Sequence, residues 1–395
     1  MKIAWISSWP PRLCGIATYS SDLVDALRKK RASVHIICHT DGGSSGEKNV
    51  YPVIDTETAG WDEKLYTTVN KIKPGLVHIQ HEYGLYRTDN DHAAGLFRPL
   101  FRWKVDNAFP IVVTYHSVYE SMNKMMSLYM KVMQEMVDAG IVHTEYQWAY
   151  LPVNTGRFID NVYIIPHGAQ IVTSFSKEKA KKAHGLEGKK VIGMIGWFTP
   201  FKGFHNVIQI WDRISEKLEP DTFLVLAGDA RALDPKQQEY KKMLLDLVEH
   251  CKFKERIKVF LGSFSPQEYD ELMSTFDVMV MPYTFASQSG NLANSFAFGV
   301  PVVASAMEGL KAEIEASGAG IAVPPNDDDA LMRAILDMMT DDILRRKYAD
   351  RARRYVKKRI SWPIIAEKHL TLYRNLIKKK KAGAKDHRSI AWPDT

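Results

Sequence analysis

The sequence predicts an α/β protein made of two doubly wound parallel sheets, each flanked by helices, facing each other across a cleft. Three observations carry this expectation. The chain has 395 residues, 45% of them apolar, which is more than one hydrophobic core usually serves. Short apolar runs of strand length alternate with helix-compatible stretches, and the alternation occurs twice. A polar, lysine-rich interval from Ser174 to Lys190 separates the two series and reads as an interdomain linker.

In the first series, Ile3 to Ser7 reads as a buried strand, Thr18 to Lys30 as an amphipathic helix and Ser33 to Cys38 as a second strand, a βαβ opening. Strand-like runs follow at Leu76 to Gln80, Ile111 to Tyr115, Gly140 to His143 and Val162 to Ile165. The second series places strands at Val191 to Ile195, Thr222 to Leu226, Ile257 to Leu261, Asp277 to Met281 and Pro301 to Ala304. A last helix, Ile364 to Ile377, follows Pro363 and sets Ile365, Leu372 and Leu376 at helical spacing. The expected bounds are 1–175 for the first domain, 186–360 for the second, 361–377 for a helix packing back on the first, and 378–395 for a basic flexible tail.

Composition narrows the function classes. The formal charge is +7, and the tail concentrates six cations against two carboxylates, read either as a solvated appendage or as a contact for anionic lipid. No run of eighteen uncharged apolar residues occurs, and the chain enters a strand at once, so a protein neither secreted nor membrane-spanning is expected, in the cytoplasm. Cys14, Cys38 and Cys251 form neither a disulfide framework nor a zinc pattern. Neither sheet begins with the glycine fingerprint of nicotinamide enzymes, which argues against redox chemistry.

Open α/β sheets bind ligands at the carboxyl ends of their strands, so the informative residues follow the apolar runs. On the first half, Cys14-Gly15-Ile16-Ala17-Thr18 opens a helix whose free N–H groups favour an anion. His81, His116 and His167 each close a strand, and all three are expected to project into the cleft, where they would hydrogen-bond sugar hydroxyls. With no close histidine pair, cysteine pair or carboxylate cluster beside them, no metal is expected. On the second half, Gly196 ends a strand, Lys202 offers a point charge for a diphosphate, and Ser289, Gly290 and Asn291 start another helix.

In this order Cys14-Gly15-Ile16-Ala17-Thr18, Gln80-His81-Glu82-Tyr83-Gly84, Thr114-Tyr115-His116-Ser117-Val118, Pro166-His167-Gly168, Lys202-Gly203 and Gln288-Ser289-Gly290 resemble family 4 of the retaining glycosyltransferases. The resemblance runs from about Met1 through Ile377 and is nearest a mannosyltransferase-like branch. It implies the GT-B fold, with two Rossmann-like domains, the acceptor side first and the nucleotide-sugar side second. It implies transfer of a hexose, mannose by branch, from a nucleoside diphosphate sugar such as GDP-mannose to a glycan or lipid-linked acceptor. No cofactor, metal or nucleic acid is implied.

By position, Gly15 and Ile16 would line the diphosphate and acceptor region, and His116 would contact the donor hexose, with His81 beside it in a catalytic role. Lys202 would neutralise the leaving phosphate, the backbone near Ser263 and Phe264 would hold the base, and Ser289, Gly290 and Asn291 the phosphates. The sequence departs from the family at Ala286 and Asn294, where glutamates are common, and at Trp197, where an arginine is expected. Asn294 could then bond a ribose and Arg231 supply positive charge. With no carboxylate nucleophile in evidence, a front-face reaction is expected, the leaving phosphate taking the acceptor proton. Other readings are a non-catalytic nucleotide-sugar-binding subunit and a sugar phosphorylase or epimerase. The segment Arg87 to Asp106 and the methionine-rich stretch Met122 to Met136 would shape the acceptor side. Arg98, Phe101, Arg102, Trp103 and Lys104 read either as a peripheral membrane contact at the inner face or as a snorkelling solvent face.

Overall fold

The computed structural model describes residues 1–44, 46–86, 95–156, 160–173 and 176–387, with side chains to residue 382. Residues 87–94, 174–175 and 388–395, within the acceptor segment, the polar interval and the tail, lie outside the described residues. The chain forms two compact units, Met1–Gly168 with Trp362–Thr395, and Ala169–Ser361.

The first unit holds a parallel sheet in the order β3-β2-β1-β4-β5-β6-β7. Its strands are β1 (Lys2–Ser7), β2 (Ser33–His39), β3 (Val50–Ile54), β4 (Leu76–His81), β5 (Ile111–Tyr115), β6 (Ala139–Val142) and β7 (Val162–Ile164). Helices α1 (Gly15–Lys29), α2 (Trp61–Ile72), α3 (Phe97–Asp106), α4 (Lys124–Met136) and α5 (Glu145–Thr155) connect them. A parallel strand covered on both faces reads as a continuous apolar run. In β1, Ile3 and Trp5 join one core and Ala4 and Ile6 the other, all fully buried.

The second unit repeats the plan with β10-β9-β8-β11-β12-β13, again parallel. Its strands are β8 (Lys190–Ile195), β9 (Thr222–Gly228), β10 (Ile257–Leu261), β11 (Val278–Met281), β12 (Val302–Ser305) and β13 (Gly320–Val323). Helices α6 (Lys177–Ala183), α7 (Phe204–Gln209), α8 (Trp211–Ser215), α9 (Pro235–His250), α10 (Pro266–Thr275), α11 (Gly290–Ala297), α12 (Glu308–Ser317), α13 (Asp328–Thr340) and α14 (Asp342–Tyr355) flank them. The final helix, α15 (Trp362–His387), belongs to the first unit and packs against α1.

Strand order reverses between β1 and β4 in the first sheet and between β8 and β11 in the second. Such switch points open a crevice at the carboxyl ends of the strands, where ligands bind.

Two expectations are corrected. The polar interval is not a linker, because 177–183 form α6, which packs on α10. Lys177 and Lys181 reach the Asp277 carboxylate at 2.8 and 2.7 Å, and Asp277 also accepts from the Val191 N–H. Burial alone would raise the Asp277 pKa, but the two lysines outweigh it and hold it below the ordinary value. The tail expected to be flexible from 378 continues α15 to His387. The reason is local: Lys380 meets Asp138 at 3.7 Å, and Lys104 reaches the same carboxylate at 3.8 Å. The edge strands β3 and β13 escaped the sequence reading; β3 contains Pro52, which only an edge tolerates, and β13 has four residues. Among the described residues no helix is long and apolar enough to cross a membrane.

Candidate functional site

At the first switch point, α1 begins at Gly15 with no side-chain cap from Cys14 and no acid in its first turn. Its leading N–H groups are therefore not neutralised from within the helix. A methyl group on Gly15 would meet nothing within 4 Å, so the space in front of this helix start is open. Ile16 packs half-buried against the core beneath.

The histidines are sorted by the pleat, which sends successive side chains to opposite faces. His116 lies one step past β5, buried on the face covered by α1, its Nε2 2.8 Å from Gln80 Oε1. Tyr19 of α1 stands edge-on to His116, His143 and His167 at ring-centroid distances of 5.0, 5.3 and 5.0 Å. His167 is half-buried, and its Nδ1–H donates to the Gly168 carbonyl at 2.7 Å.

His81 does not join them. One residue out of phase with Gln80, it faces the opposite core, stacked on Tyr129 at 5.3 Å and edge-on to Tyr83 at 5.1 Å. Neither of its ring nitrogens has a hydrogen-bond partner, and burial drives its pKa down to about 3. Of the three strand-end histidines, His116 and His167 therefore gather around Tyr19 on one face of the first sheet, with His143 added, and His81 lies on the other.

Burial, reinforced by mutual repulsion, lowers His116 well below its ordinary value, while His143 falls to about 3 and burial takes His167 to about 4. All three are neutral near pH 7 and serve as hydrogen-bonding groups, not as cations. Glu82, next to His81, accepts from Ser117, and burial raises its pKa. Among the described residues no group of histidine, cysteine and carboxylate side chains could hold a metal ion.

At the second switch point, β8 is followed at once by Gly196, with φ +141°. A Cβ there would sit 3.2 Å from Asn291 Nδ2 and 3.8 Å from Lys202 Nζ, so the absent side chain leaves room where these groups converge. Lys202 donates to the Tyr283 hydroxyl at 2.8 Å, its ammonium 4.2 Å from the ring centroid. Gly203, at φ +68°, brings the chain so close to the Pro282 carbonyl that a Cβ would lie 2.1 Å from it. No other residue can seat Lys202 against Tyr283 in this way.

Asn291 is held at both ends, Nδ2 donating to the Ile195 carbonyl at 2.7 Å and Oδ1 accepting from Tyr269 at 3.0 Å. Tyr269 also bonds Asn294. Ser289 precedes α11 without a side-chain cap, no acid follows, and the buried Gln288 Oε1 beside it has no partner. By contrast α10, just after Ser263 and Phe264, closes its own N-terminus with a Ser265–Glu268 capping box. Arg231 is exposed and lies 5.5 Å over the Trp197 ring, so a guanidinium accompanies the residue that stands where an arginine was expected.

Sequence comparison shows what the second unit resembles. Residues 176–355, nearly the whole second unit, match the model for glycosyl transferases group 1. The second unit is thus similar to the group 1 glycosyl transferases. Similar proteins include a D-inositol 3-phosphate glycosyltransferase of Corynebacterium urealyticum, 27% identical over 60% of this chain and 57% of the relative. A phosphatidyl-myo-inositol mannosyltransferase of Mycolicibacterium smegmatis is 25% identical over 53% of this chain and 50% of its own length. The chain thus spans about half the length of the curated relatives it matches.

Solved structures extend the fold likeness to the whole chain. Sucrose-phosphate synthase from Thermosynechococcus elongatus superposes with a TM-score of 0.75 at 21% identity, covering 96% of this chain and 100% of that one. Anabaena HepE in complex with UDP gives 0.73 at 18% identity, covering 95% and 100%. Both units therefore have the Rossmann-like form of the GT-B class.

Proposed function

We propose that this chain moves a hexose from a nucleoside diphosphate sugar to a glycan or lipid-linked acceptor, with retention at the anomeric carbon. One observation carries the reading: Lys202, Tyr283, Gly196 and Asn291 converge beside the uncapped start of α11, at the sheet's switch point. An ammonium and free helix N–H groups at one place suit a diphosphate leaving group. Arg231 stacked on Trp197 adds a second cation, Asn294 offers a ribose contact, and the backbone at Ser263 and Phe264 a base contact.

In this reaction the bond from the anomeric carbon to the diphosphate oxygen breaks while the bond to the acceptor oxygen forms on the same face. The acceptor proton passes to the departing phosphate oxygen. His116 and His167 hold sugar hydroxyls, and Gly15 and Ile16 line the acceptor end. No cofactor or metal is called for. Mannose from GDP-mannose is the branch-based donor; the named HepE complex contains UDP, so uridine donors compete with it.

The two named relatives act on inositol-bearing compounds, which favours a polyol or lipid-linked acceptor. In support of a lipid surface, α3 and α4 leave Phe101, Val105, Met125 and Leu128 more than half exposed, with Lys104, Lys124 and Lys131 on the same two helices. This would put the enzyme at the inner face of the membrane. A second reading, a nucleotide-sugar-binding subunit without turnover, is favoured by Ala286 and Asn294 in place of glutamates.

Thermal unfolding with GDP, UDP, ADP and their sugar conjugates tests the reading. A ligand at about 100 times its Kd adds roughly 2.7 kcal/mol, a shift of a few degrees. One nucleotide class raising the Tm, followed by sugar transfer from its conjugate, is the expected result. Binding without transfer to any acceptor would support the subunit reading, and no shift with any nucleotide would overturn both.

A further inference from the structure

Behind His116 runs a buried polar chain that the reaction above does not use. β4 places His78 and Gln80 on the face covered by α1 and α15, and both are fully buried. Tyr373 of α15 hydrogen-bonds Nδ1 of His78. Nε2 of His78 lies 2.8 Å from Thr114 Oγ1 and 3.2 Å from Gln80 Nε2. The other end of the same amide, Gln80 Oε1, lies 2.8 Å from Nε2 of His116. Gln147 Nε2 donates to the His116 carbonyl at 3.2 Å and fixes the backbone there.

An amide nitrogen only donates and an amide oxygen only accepts, whereas a neutral imidazole has one nitrogen of each kind. Gln80 therefore ties the two histidines together. With its nitrogen toward His78, that ring accepts at Nε2 and carries its proton on Nδ1, facing Tyr373. With its oxygen toward His116, that ring donates from Nε2 and keeps Nδ1 as its basic nitrogen. Burial keeps both rings neutral, so tautomer is the property the arrangement controls.

We propose that Gln80 is a positioning residue that makes the tautomers of His78 and His116 complementary, and that Tyr373 on the last helix, acting through His78, orients it. The consequence for chemistry rests on the reading of His116 as a hexose contact. The ring then meets a sugar hydroxyl as an acceptor at Nδ1, and the end of the chain, far away in sequence, sets that polarity.

The test is nitrogen NMR of full-length protein labelled with ¹⁵N in histidine, each ring assigned by single His→Gln changes, with transfer kinetics measured in parallel. Wild type should show the proton on Nε2 of His116 and on Nδ1 of His78. Tyr373→Phe, which loses one hydroxyl, should change the His116 pattern although the two do not touch. It should also lower kcat about tenfold, with a smaller change in the donor KM. Gln80→Leu should uncouple the rings. Protons on both Nε2 atoms or on neither in the wild type, or a His116 pattern unchanged in Tyr373→Phe and in Gln80→Leu, would overturn the proposal. Complementary tautomers without any sugar transfer would sustain the relay and remove the glycosyl-transfer reading instead.

Discussion

The two units finish their strand ends in opposite ways. In the first, His116, His143 and His167 crowd around Tyr19, buried and uncharged. In the second, Lys202 and Arg231 lie over aromatic rings, the first half-buried and the second exposed. The same sheet architecture thus yields strand ends that carry neutral hydrogen-bonding rings in one unit and cations in the other. Burial decides which: desolvation suppresses the histidine cations, while an aromatic face stabilises a cation without removing it from water.

The comparison breaks most readily at Lys202. Removing its ammonium in Lys202→Ala should cost on the order of a hundredfold or more in turnover, measured in steady state with a fold control. A rate near wild type would shift the charge role to Arg231.

Next comes the scaffold of the second unit. Asp277→Asn leaves Lys177 and Lys181 without their carboxylate and should cost about 2 kcal/mol in denaturant unfolding at pH 7, less than a fully buried pair because Lys177 is partly exposed. A folded-state pKa below the ordinary value makes this stability present above the unfolded pKa, and it is lost as pH falls through the folded one.

A smaller effect of the opposite sign is expected at Glu313, which burial raises from 4.5 to about 7 while Tyr355 donates to it. A carboxylate with a raised folded pKa binds more protons in the native state, so stability falls as pH rises between those two values. Glu313→Gln should flatten that decline, read as a higher Tm than wild type at pH 8 and little difference at pH 4.

The smallest effect sharpens the contrast within the first unit. His81→Phe keeps an aromatic ring among Tyr83, Tyr115 and Tyr129 and discards two nitrogens without partners, so turnover should stay within about twofold. A large loss would return His81 to the site.

Strand positions were legible because parallel strands covered on both faces are uninterrupted apolar runs; β5 coincides with its run residue for residue. The half-covered edges β3 and β13 lacked that signal. The glycine and small-residue motifs at the starts of α1 and α11 were visible because they are local, and both helices start without a side-chain cap. Gln80, His78 and Tyr373 escaped notice because nothing local marks them. Gln80 sat inside a motif whose histidine drew the attention, and Tyr373 lies 295 positions from its partner.

The sequence by itself determined two series of parallel strands, the helix starts at their ends and the lysine and glycine that shape the second site, since each is written in patterns a few residues long. Tertiary structure alone decided which histidines meet and that Lys177 to Ala183 is a docked helix. It also decided that the last helix reaches back to a buried histidine on β4. Those outcomes depend on the phase of the pleat and on partners distant in the chain, where one residue's shift turns a side chain from one core to the other.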